Sequence, residues 1–155
     1  VSFRPSAILL HWTVSGEHTT EEDVRKWHRA RGLAREGYHG MVARLSTGEA
    51  HLYAMRDDEI QGAHAKGWGN RHALGLAVAW RGQQGPVPDD MVGLAVGQCV
   101  AWCLRYGISP DQIMGHRDAP GASTECPGVV PVRAIREATQ AALAALREQG
   151  VCDAA

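Results

Sequence analysis

The stretch Gly115-His116-Arg117-Asp118-Ala119-Pro120-Gly121-Ala122-Ser123-Thr124-Glu125-Cys126-Pro127-Gly128 sets an imidazole and a thiol in a segment too rich in glycine and proline for a regular helix or central strand. Periodicity does not hold His116 and Cys126 in place, whereas a metal would. Nitrogen and sulfur donors suit zinc, and a catalytic zinc takes three protein ligands and keeps one position open. The third ligand must then come from His11, His18, His28, His39, His51, His64 or His72. His11 is the best placed. The run Ala7-Ile8-Leu9-Leu10 ahead of it reads as a buried strand, which holds an imidazole more rigidly than a loop does.

Working outward, Thr19 with Glu22 three residues later reads as a capping box opening a helix that carries Val24 and Trp27 at helical spacing and stops at Gly32. Arg25, Lys26 and Arg29 fall on its other faces and read as solvated. The segment 37–45 has strand character with Tyr38 at its start. Residues 46–49 form a turn and 50–54 return, so the pair reads as a hairpin. The polar, Gly-rich stretch 57–70 reads as a long functional loop. Leu74 to Trp80 is the next strand. Pro88-Asp89-Asp90 opens the longest helix, which ends at Gly107. It is apolar on nearly every face, with Gly93 and Gly97 four apart, and is expected to be buried with the glycines admitting a close neighbour. A short strand or turn over 111–114 leads into the opening segment. Pro131 starts a last helix with Ile135, Thr139, Ala142, Leu143 and Leu146 on one face, and residues 151–155 read as a frayed tail. Strands separated by helices predict an α/β fold: one domain over residues 1–155, core about 7–148, with a central mixed β-sheet flanked by about three helices.

A chain of 155 residues can bury a core large enough to fold without disulfides. A net charge of -1 argues against nucleic acid as a partner, since a phosphate-binding protein shows clustered basic surface. The longest apolar stretch, 91–104, is interrupted and too short to span a bilayer. No secretory signal is visible in the sequence. Cys99 and Cys103, one helical turn apart, read as small buried hydrophobes.

His11-Trp12-Thr13 after an apolar strand, Trp27-His28 with Gly32, Gly37-Tyr38-His39, Gly62-Ala63-His64, Asn70 before Leu74-Gly75-Leu76, Gly115-His116-Arg117-Asp118 and Cys126-Pro127-Gly128 stand in an order that resembles type 2 N-acetylmuramoyl-L-alanine amidases. These form the superfamily of peptidoglycan-recognition proteins and amidase-type phage lysozymes. The resemblance runs over about residues 7–148. It implies that fold, one Zn2+ held by His11, His116 and Cys126, and hydrolysis of the amide between N-acetylmuramic acid and L-alanine of the peptidoglycan stem peptide. It implies Tyr38 as the catalytic tyrosine and Thr124 as its companion, at a position that holds Lys in some members and Thr in others. His64 and Asn70 match positions near the site, and Trp68 in the same loop reads as a further candidate for the substrate groove. A monomeric phage endolysin, made in the host cytoplasm and acting at the bacterial cell wall, fits this resemblance. Two other classes stay open: a peptidoglycan-binding module without catalysis, and a cysteine hydrolase with Cys126 as nucleophile and His116 as base, activated by the helix that starts nearby.

Overall fold

The computed structural model describes residues 2–151; Cys152 and the rest of the tail expected to fray lie outside the described residues. The elements are β1 (Ala7–Trp12), α1 (Glu21–Ala30), β2 (Gly40–Arg44), β3 (Ala50–Ala54), α2 (Gly67–His72), β4 (Ala73–Val78), α3 (Asp89–Tyr106), β5 (Ile113–Gly115) and α4 (Val132–Glu148). The five strands form one sheet in the order β3-β2-β4-β1-β5. β2 and β3 are the antiparallel hairpin, and all other pairings are parallel. This is the expected mixed α/β sheet, with four α-helices instead of about three because the polar loop closes into the short α2.

Strand alternation decides which side of the sheet does what. Ile8 and Leu10 of β1, with Leu74, Leu76 and Val78 of β4, face Met91, Ala95, Cys99 and Trp102 of α3 and Ile135 and Leu143 of α4 in the main core. Cys99 and Cys103 are free and buried there, as expected of small apolar side chains. The opposite face of β1 carries Ala7, Leu9 and His11. On β4 that face is built from Ala73, Gly75 and Ala77. Every side chain there is small, which leaves room above the sheet for imidazole rings. His11 pairs in register with Ala77 and Leu9 with Gly75, so the two central strands set the floor of that space together.

Three local expectations are corrected. The N-cap of α1 is Thr20, not Thr19: its hydroxyl accepts the Asp23 N–H at 3.2 Å and Asp23 accepts the Thr20 N–H at 2.9 Å. Both Thr19-x-x-Glu22 and Thr20-x-x-Asp23 satisfy the capping pattern, so spacing alone does not choose between them. The inner face of α1 is Val24 and His28, whereas Trp27 is 41% exposed. The helix α3 is buried on one face only. Gly93 and Gly97 lie on its exposed side with no neighbouring atom within 4 Å of a Cβ built there, so they admit no close neighbour.

Candidate metal centre and cleft

β1 delivers His11 from the sheet floor, 1% exposed. A 3-10 turn at His116–Asp118 directly after β5 swings His116 in beside it, with ring centroids 4.7 Å apart. The loop that follows doubles back so that Arg117 N–H bonds Cys126 C=O at 2.7 Å, bringing Cys126 over the same point. One ligand atom from each of His11, His116 and Cys126 falls within 4.8 Å of the others. The residues joined here are the three that the sequence singled out. Cys126 Sγ lies 3.5 Å from His11 Nδ1. Zinc bond lengths set a nitrogen and a sulfur on one tetrahedral ion about 3.6 Å apart. The donor set and its spacing therefore fit zinc, and three protein ligands leave a fourth position open.

Glycines shape this neighbourhood. A Cβ at Gly128, where φ is +58°, would fall 2.2 Å from the Trp12 ring, and one at Gly115 would fall 2.7 Å from Pro127 Cδ. Trp12 is thereby packed onto the loop that carries Cys126, and β5 lies close against the same loop.

Of the three donor residues, His116 lines a cleft of about 610 Å³, together with Tyr38, His28, Arg31, His64, Asn70 and Thr124 among others. Tyr38 precedes β2, and its ring lies 5.2 Å from that of His11 and 5.3 Å from that of His28. Burial, with the Cys126 charge adding, pushes its phenol up to about 12, so it keeps its proton and remains a donor. Thr124 is exposed on the rim, and its hydroxyl accepts the Cys126 N–H at 3.1 Å. Burial lowers the pKa of His11 and His116, which keeps both rings in the neutral form a metal requires. It raises the Cys126 thiol.

His64 and Asn70, expected in a substrate groove, do line the cleft, but both ring nitrogens of His64 and the Oδ1 of Asn70 are engaged with the protein. His64 Nδ1 is 2.8 Å from His11 Nε2, and Asn70 Oδ1 accepts the N–H groups of His64 and Ala65 at 2.8 and 2.9 Å. Trp68 lies on α2 with its ring 5.2 Å from that of His72, packs against the cluster of Ala7, Leu9, Ala73 and Ala119, and is not among the cleft-lining residues. Arg31 and Lys66 line the cleft without having been singled out. They sit at the end of α1 and ahead of α2, and no pattern in the sequence separates them from other surface cations.

The family model described as N-acetylmuramoyl-L-alanine amidase matches residues 2–129. An endolysin of Enterobacteria phage T3 is 31% identical over 84 residues, which cover 50% of this chain and 52% of that protein. The chain thus spans about half the length of the curated relatives it matches. Among solved structures, the N-acetylmuramoyl-L-alanine amidase LysC from Clostridium intestinale URNW superposes with a TM-score of 0.75 at 26% identity, covering 87% of this chain and 85% of that one. The Ph2119 endolysin from Thermus scotoductus MAT2119 bacteriophage Ph2119 shares the fold, with a TM-score of 0.71 at 23% identity over 88% of this chain and 85% of that one. With a match across residues 2–129, the chain belongs to the N-acetylmuramoyl-L-alanine amidase family.

Proposed function

We propose that this chain is a single zinc amidase domain, core about 7–148, that hydrolyses the amide between the lactyl group of N-acetylmuramic acid and the first L-alanine of the peptidoglycan stem peptide. The observation that carries this reading is the convergence of His11, His116 and Cys126 within 4.8 Å at a cleft that also presents Tyr38. Bound zinc would supply Lewis-acid polarisation of the scissile carbonyl and lower the pKa of water into the neutral range. The remaining work falls to side chains of the cleft. Tyr38 donates a hydrogen bond from its phenol to the carbonyl oxygen as negative charge builds on it. The Thr124 hydroxyl has one acceptor site occupied by the Cys126 N–H, and its own proton is free to orient the amide or the attacking water. His64 and Asn70 shape the cleft wall next to His116.

The endolysin relatives support a role in bacterial lysis, and we place the action at the cell wall, with the protein made in the host cytoplasm and working as a monomer. No helix of the described residues is long and apolar enough to cross a membrane. A Cys126 nucleophile is the weaker reading, because its thiol lies 3.5 Å from His11 Nδ1 in a three-donor cluster with zinc-like spacing, and α4, whose N-terminus would favour a thiolate, begins only at Val132.

The test is mass spectrometry of purified peptidoglycan incubated with the protein, with and without a chelator. Release of stem peptides bearing a free L-alanine amine, abolished by chelation and restored by zinc, is the expected result. Binding to peptidoglycan with no released product under zinc-replete conditions would identify a recognition module instead. Cleavage that survives chelation but not thiol alkylation would identify the cysteine hydrolase.

A further inference from the structure

The ring of His64 occupies a slot that two glycines leave open. A Cβ at Gly62 would fall 2.4 Å from the His64 ring and one at Gly75, on the small-residue face of β4, would fall 2.6 Å from it. Within that slot both ring nitrogens are engaged. Nε2 lies 3.0 Å from the Ala73 carbonyl oxygen and Nδ1 lies 2.8 Å from His11 Nε2. A carbonyl only accepts, so His64 Nε2 carries the proton and the Nδ1 of the neutral ring is a bare acceptor. His11 must then donate from Nε2, which leaves its Nδ1 as the lone pair, and Nδ1 is the atom 3.5 Å from Cys126 Sγ. The polarity of the chain runs from one backbone carbonyl through two imidazoles to the metal-facing atom. The backbone that carries His64 is in turn held by Asn70, whose Oδ1 takes both the His64 and the Ala65 N–H.

We propose that His64 is a positioning residue for the metal centre, fixing His11 in the tautomer that ligates through Nδ1, and that Asn70 holds His64 in register for that task. The inference rests on the zinc site proposed above and assigns His64 and Asn70 to the metal side of the cleft, not to substrate. A partner that fixes the tautomer and aim of a ligating histidine typically contributes about 10- to 100-fold in metal affinity.

Two measurements test it. Long-range 1H–15N correlation spectra of the zinc-loaded wild-type protein should show His11 protonated at Nε2 and ligated at Nδ1, with His64 protonated at Nε2; a His11 proton on Nδ1 would overturn the assignment. Zinc affinity is then read by competition with a chromophoric chelator. His64→Ala and Asn70→Ala should each bind zinc about 10- to 100-fold more weakly. His64→Gln, which can accept from His11 and donate to Ala73, and Asn70→Asp, which keeps the doubly accepting oxygen, should recover most of the loss. Equal affinity in wild type and the two alanine variants, or no recovery in the conservative ones, would remove the positioning role while leaving the metal site intact. If His64→Ala does not fold, the Asn70 pair and the wild-type spectra still decide. A wild type without zinc affinity would sink the metal-centre reading itself and the positioning role with it.

Discussion

The Tyr38 ring leans against His11 at a centroid separation of 5.2 Å and an interplanar angle of 54°, so the phenol ring of the cleft wall packs directly beside the deeper of the two metal-facing imidazoles. Tyr38 is not among the three clustered donors, and its proton stays on because burial pushes the phenol up to about 12. Tyr38→Phe keeps the ring and its packing and removes only the donor. Zinc content should be unchanged, while kcat falls about 10²- to 10³-fold, the usual cost of deleting one donor to a developing oxyanion. Metal analysis and initial rates on soluble muropeptide check this, and an unchanged kcat would remove Tyr38 from the chemistry.

Cys126→Ser should lose zinc and activity together. A neutral hydroxyl is a far poorer ligand than a thiolate, and the two histidines left behind under-coordinate the ion. Because the donors come from β1, the turn after β5 and the loop before α4, the ion would tie three distant parts of the chain together. Its binding energy then adds to folding energy. Chelation of the wild-type protein should lower its melting temperature in calorimetry, whereas the Cys126→Ser melt should not respond to chelator. Full zinc content in the variant would show that Cys126 is not a ligand.

How much of this was legible in the sequence depends on what each feature rests on. His11 at the end of an apolar run, and His116 and Cys126 in a segment with no periodicity, declare themselves by residue type and place. The parallel β1–β4 register, which sets Gly75 beneath His64, is a long-range pairing that no local pattern encodes. The link from His64 to His11 was therefore hidden, although Gly62 and Gly75 were in plain view. The faces of α3 were hidden for the opposite reason: apolar residues all round leave no stripe to read, and the glycines at 93 and 97 proved to be the outer side. On α1 the error was one residue, because two adjacent threonines offered equivalent caps.

Thr124 separates two kinds of cleft hydroxyl role. Its oxygen accepts the Cys126 N–H at 3.1 Å, a bond that Ser preserves and Val does not. Thr124→Ser should therefore retain near wild-type kcat. Thr124→Val should lower kcat about 5-fold, on the scale of one neutral hydrogen bond of about 1 kcal/mol, with zinc affinity falling less. Equal rates in the two variants would assign Thr124 to packing on the rim.

The stability of the fold should fall in mild acid through a histidine that touches none of the metal donors. His39 is 2% exposed. Its Nδ1 accepts the Gly75 N–H at 2.9 Å and its Nε2 donates to the Ile60 carbonyl at 3.0 Å, so the neutral ring ties β4 to the loop after β3. Burial holds its pKa down at about 4, with the Ile60 carbonyl opposing. The unfolded chain binds this proton near pH 6.5, well above the folded value, so between the two pH values the unfolded state carries more protons and stability rises with pH. The contribution is complete above about pH 6.5 and is lost as pH falls towards 4, on the order of 3 kcal/mol in all. Urea unfolding of the metal-free protein at pH 4.5, 5.5 and 7 should show this slope, and His39→Gln should show a shallower one whatever its absolute stability, because an amide does not titrate. A His39 ring proton that titrates near pH 6.5 by NMR, or equal slopes in the two proteins, would place the acid sensitivity elsewhere.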